Sequence, residues 1–138
     1  MSPFFAALLI GLALTTGFLV VARQLGFHKD RGTWVSTLIA IALFYIVFAI
    51  QSGGAASIAL HVSVAAAFIG VALFGYVRSL WWIVLGLALH GAFDLFWVGS
   101  RANPAPTWWG PLCLGVDLLL ASSLAFWLRS KAIEDVRY

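Results

Sequence analysis

Two histidines and two aspartates stand in stretches that otherwise match the interior of a membrane. The segment ALHGAFDLFW, residues 88–97, carries His90 and Asp94 one helical turn apart. His61 lies in a second apolar run with Ser57 four residues before it, and Asp117 in a third with Cys113 four residues before it. Spacing of i,i+4 turns both members of each pair to one helix face. Two imidazoles and two carboxylates make a full ligand set for zinc or ferrous iron, so His61, His90, Asp94 and Asp117 are the candidate metal ligands. Without a metal, the same four are the candidate catalytic residues of acid–base chemistry, one protonated group and one ionised group moving a proton on a lipid. A relay for protons or ions uses the same chemistry. His61, the most isolated of the set, is the only one suited to a tetrapyrrole metal.

The elements that carry these residues follow from composition. The chain has 138 residues, 63% of them hydrophobic and 9% charged, with mean hydropathy +1.03. Soluble domains carry about 25% charged residues, so the expectation is one integral membrane domain spanning residues 1–138. The net charge of +3 does not indicate nucleic acid, because the basic residues are scattered through short connections. Cys113 is the single cysteine and rules out an intrachain disulfide. The N-terminal apolar run lacks a basic leader and reads as a retained first span rather than a signal peptide.

About 20 apolar residues cross a bilayer, and five stretches qualify: 3–22, 34–50, 55–77, 80–98 and 108–128, the second being the shortest. The expected fold is therefore an all-α bundle of five transmembrane helices. Arg23, Lys29, Arg31, Arg78, Arg129, Lys131 and Arg137 fall on one side and only Arg101 on the other. The positive-inside bias then places the N-terminus outside and the C-terminus in the cytoplasm, with a bacterial inner membrane as the expected location. Trp34, Trp81, Trp82, Trp97, Trp108, Trp109 and Trp127 fall near span ends and read as an interfacial belt. Gly11 with Thr15, Ala88 with Ala92, and Ala65 to Ala67 are the small residues expected at helix contacts.

Depth unites the polar residues. At about 1.5 Å per residue, His61 lies roughly 9 Å from the outer edge, Asp94 roughly 6 Å, His90 roughly 12 Å and Asp117 roughly 14 Å. An ionised Asp at a helix centre costs about 2.5–3.5 kcal/mol, so four such groups in one layer point to a shared site opening outward. The competing reading is a structural network in which His90 bonds Asp94 on its own helix and Asp117 bonds Thr15 or His61. Thr16 and Tyr45 are further polar groups within the spans. The connection GSRANPAPTWWGP sits above Asp94, its backbone stiffened by Pro104, Pro106 and Pro111. It is either a rigid cap or a lid, with Arg101, Asn103, Trp97 and Trp108 as candidate lid or substrate contacts.

The succession His90-x-x-x-Asp94, Asn103-Pro104 and Cys113-x-x-x-Asp117 resembles a family of small bacterial integral membrane proteins defined only as a domain of unknown function. The likeness covers the C-terminal third and the overall length. It implies that His90, Asp94 and Asp117 belong together, and it supplies no activity. That family often has further histidines after the first motif, where this chain reads LFWVGS. A looser likeness of helix number to the sterol isomerase and sigma-receptor group has no motif behind it, and the seven-helix membrane hydrolases do not fit. Two functions stand as expectations. One is an intramembrane enzyme acting on a lipid or isoprenoid. The other is a non-catalytic partner subunit or carrier in which the same residues form a structural or proton-relay network. Membrane lipid is the expected partner in either case, with a homo-oligomer or a membrane protein partner as further possibilities.

Overall fold

A computed structural model describes residues 2–97, 100 and 103–135. It consists of five α-helices: α1 Pro3–Gln24, α2 Arg31–Ser52, α3 Ala55–Val77, α4 Trp81–Trp97 and α5 Trp109–Arg129, with a 3-10 turn at Phe27–Lys29. There is no strand among the described residues. Helices α1, α2, α3 and α5 are long and apolar enough to cross a membrane, whereas α4 has 17 residues. The chain is thus a helical protein of membrane-embedded character.

Local chemistry sets the breaks. Pro3 opens α1 where its missing N–H has no helical partner to lose. Asp30 caps α2, accepting from the Thr33 backbone N–H at 2.7 Å and from the Thr33 hydroxyl at 2.9 Å. That cap draws Arg31, Gly32 and Thr33 into α2, which is 22 residues long. The expectation that the second helix is the shortest is thereby corrected: hydropathy excluded the charged first turn, but the cap makes it helical, and α4 is shortest. Gly53 and Gly54, with φ of 72° and 110°, turn the chain between α2 and α3 in a conformation that a Cβ would oppose.

Packing runs in the order α1, α5, α4, α3, α2, with α2 also touching α4. Helix α1 leans on α5 through two glycines. A Cβ on Gly11 would lie 2.1 Å from the Leu112 carbonyl oxygen, and one on Gly115 would lie 2.6 Å from that of Leu8. Thr15 is buried along the same side of α1, as its spacing from Gly11 implied. The small-residue expectation fails on α4, where Ala88 is exposed and the buried small residues are Gly86 and Gly91. On α3 only Ala65 of the three alanines is buried.

The apolar core fills the basic end of the bundle, with Leu38, Ile83, Leu87 and Leu124 fully enclosed. Trp34 and Trp127 belong to this core rather than to an interfacial belt. Trp34 donates to the His28 carbonyl at 2.8 Å, and its ring meets that of Trp127 at 5.8 Å. A bidentate reach of Arg31 to Asp135, at 3.0 and 3.4 Å, ties the tail to α2. Asp135 also accepts from the Leu80 N–H at 2.8 Å and from the Ser79 hydroxyl, so it braces the start of α4 as well. Trp81, Trp82 and Trp108 are exposed, as an interfacial belt requires.

The α1–α5 seam yields a prediction. Gly115→Ala forces a methyl against helix backbone that cannot rotate away and is expected to cost about 1–3 kcal/mol. Gly17→Ala meets nothing within 4 Å and is expected to be neutral or stabilising by up to about 1 kcal/mol through helix propensity. Thermal unfolding of the two variants in detergent checks the contrast.

Candidate functional site

The buried polar residues at the end of the bundle away from the basic residues come from four helices. Helix α4 presents His90 and Asp94 on one face, α5 presents Asp117, α2 presents Tyr45 and α3 presents His61, and all five are at most 1% exposed. Gly91 permits the approach of α5: a Cβ there would come within 3.2 Å of the Asp117 Cβ.

His90 is the hub. Its Nδ1 stands 2.8 Å from Asp117 Oδ2 on the neighbouring helix and 3.4 Å from Asp94 Oδ2 on its own. The cross-helix partner is therefore the closer one, and the expected i,i+4 pairing is the longer contact. Asp117 bonds neither Thr15 nor His61 in any described contact. Instead the Thr15 hydroxyl is buried without a partner. The Tyr45 hydroxyl donates to Asp94 Oδ1 in a short hydrogen bond. Sequence reading had noted Tyr45 as a polar group in a span without assigning it to the site. The signal available was depth, since it lies about 10 Å from the outer end of α2 at about 1.5 Å per residue.

His61 stands beside this group rather than in it. Its Nδ1 lies 2.8 Å from the Ser57 carbonyl, an atom that can only accept, so Nδ1 carries the hydrogen. The ring stacks nearly parallel to Tyr45, with centroids 5.6 Å apart, and meets Trp97 edge-on at 6.2 Å. Its Nε2 is buried and has no partner. Phe68 packs edge-on to His90 at 4.9 Å, and Phe93 lies between Tyr45 and Trp97. An aromatic shell thus separates the carboxylates from their surroundings.

Counting donors against acceptors exposes an imbalance. Tyr45 and His90 are the hydrogen donors that reach the two carboxylates. Among the described residues Asp117 Oδ1 has no hydrogen-bond partner, and Asp94 Oδ2 has only the 3.4 Å contact to His90 Nδ1. Buried acceptors left unmatched cost about 1–3 kcal/mol each, and a water, a proton shared by the two carboxyl groups or a cation would satisfy them. His90, Asp94 and Asp117 each offer a ligand atom within 4.8 Å of the others. Tetrahedral zinc with bonds of about 2.0–2.1 Å holds its ligands about 3.3 Å apart. The 3.4 Å separation matches that edge, while the 2.8 Å hydrogen bond would open by about 0.5 Å around an ion. Tyr45 would then act from outside, orienting the Asp94 carboxylate. His61 is not among these three residues, so the four-ligand set expected from sequence is reduced to three by the side-chain positions.

The outer loop braces itself. Asn103 donates to the Trp97 carbonyl at 3.2 Å and accepts from the Ala105 N–H at 3.0 Å, an Asx turn that closes the end of α4. Trp108 is exposed and packs on Trp109. Among the described lid candidates Trp97 is the one with ring contacts to His61 and Phe93. Arg101 lies outside the described residues. Cys113 is buried one turn from Asp117.

An apolar groove of about 280 Å³ lies between α1, α2 and α5, and no residue of the His90 group lines it. Ile41, one turn before Tyr45, and Val116, beside Asp117, both line it.

Removing the Tyr45 hydroxyl tests the network directly. Tyr45→Phe leaves Asp94 Oδ1 unmatched and is expected to destabilise by about 1–3 kcal/mol. In the Asp94→Asn background the same substitution is expected to cost less, because the charged acceptor is gone. A double-mutant cycle on thermal unfolding reads the difference.

Comparison with protein-family models, curated proteins and solved structures finds no match to this chain.

Proposed function

We propose that the chain is a small intramembrane enzyme that acts on a lipid or isoprenoid, with a divalent cation held by His90, Asp94 and Asp117. The observation that carries this reading is two carboxylates enclosed around one imidazole, with a ligand atom from each of the three residues within 4.8 Å of the others. Helix registration alone is served by Ser or Thr at lower cost, and ionisable groups within a membrane mark function by default. Zinc or ferrous iron suits one imidazole with two carboxylates. When bound, such an ion polarises an ester or phosphoryl oxygen or supplies a hydroxide near neutral pH. The apolar groove beside Ile41 and Val116 gives a hydrocarbon chain a route from the bilayer toward the site. In this reading α4 completes five spans, with the N-terminus outside and the C-terminus in the cytoplasm of a bacterium, and His61 assists through Nε2, which has no partner among the described residues. The kinship suggested by the His90, Asp94 and Asp117 pattern belongs to the same proposal.

Full enclosure favours a second reading, in which the ensemble is a structural or proton-relay network in a non-catalytic membrane subunit. The two readings part on metal content. Elemental analysis of the purified protein is expected to find zinc or iron near one per chain, lost in Asp94→Asn and Asp117→Asn. Parent protein that stays metal-free after incubation with either ion supports the network instead.

A further inference from the structure

The opposite, basic end of the bundle holds a second feature of different chemistry. A groove of about 580 Å³ opens between the end of α1, the 3-10 turn and the end of α5. Arg23 and Lys29 supply its charge, and Phe126, Trp127 and Ala132 supply its apolar wall. No acidic residue lines it, and neither cation has a carboxylate within ion-pair distance among the described residues. The adjoining groove beyond Lys29 contains Asp30 and Glu134 and is mixed in charge, so an anion is drawn to the acid-free one. Asp30 is itself engaged in capping α2.

Magnitudes agree with a single bound negative charge. The carbonyl ends of α1 and α5 each contribute about −0.5, against two full positive charges, which leaves a net of about +1. At α5 that negative end is further muted. The Ala132 N–H reaches the Trp127 carbonyl at 2.9 Å and the Lys131 N–H reaches that of Leu128 at 3.3 Å. The Ser130 hydroxyl is directed to the Trp127 carbonyl at 3.3 Å, so recognition rests on charge. Phe126 is 66% exposed directly beside these cations, an apolar surface at the depth where a headgroup gives way to chains.

We propose that this groove binds the headgroup of an anionic phospholipid, its phosphodiester between Arg23 and Lys29 and an acyl chain along Phe126. The proposal needs α1 and α5 to lie in a membrane and is independent of the His90 site. Native mass spectrometry of the detergent-solubilised protein titrated with phosphatidylglycerol or phosphatidylcholine tests it. Phosphatidylglycerol is expected to be retained and phosphatidylcholine to dissociate. At roughly fivefold per cation near a membrane surface, Arg23→Gln and Lys29→Gln each weaken retention about fivefold and the double variant about thirtyfold. Arg78→Gln, at the same end but outside the groove, is expected to change nothing. Equal retention of both lipids, an equal loss in Arg78→Gln, or displacement by excess inorganic phosphate would overturn the proposal.

Discussion

Enclosing two carboxylates away from water is the constraint on which the end of the bundle opposite the basic residues is built. A charge in that layer is tolerated only beside a counter-charge or a donor. Asp94 and Asp117 sit together because His90 lies between them and Tyr45 reaches Asp94 from the far side. Each partner comes from a different helix, so satisfying one carboxylate fixes the relative positions of α2, α4 and α5. The aromatic rings of Phe68, Phe93 and Trp97 close the layer against lipid.

The remainder of the fold makes that meeting possible. Gly91 lets α5 come close enough for a hydrogen bond between His90 and Asp117. Gly11 and Gly115 seat α1 against the opposite face of α5. At the other end, leucine and isoleucine packing and the Asp135 brace hold the helix starts. The apolar core thus lies toward the basic end and the buried polar group toward the other.

Much of this was legible in the residues. Hydropathy located all five helices to within a few positions, because long apolar runs carry their own signal. Depth placed His61, His90, Asp94 and Asp117 in one layer. What spacing could not reveal was azimuth. His61 is at the right depth, yet its Nδ1 turns to Ser57 and its ring faces Tyr45. Tyr45 looked like an ordinary span residue until its hydroxyl was seen on Asp94. The Asp30 cap extended α2 through charged residues that hydropathy rejects, and Trp34 and Trp127 proved to be core because a tryptophan near a helix end reads alike whether it faces lipid or a neighbouring helix. Asn103 was legible as a turn opening before Pro104, and its two short-range bonds form that turn.

The central proposal is that His90, Asp94 and Asp117 form one cation-holding centre with no sulfur ligand. X-ray absorption at the zinc or iron edge of the metal-loaded protein tests it most directly. The account predicts a first shell of nitrogen and oxygen only, at about 2.0–2.2 Å, with the outer scattering of a single imidazole. A sulfur shell near about 2.3 Å, or an imidazole signal that persists in His90→Ala, would contradict it.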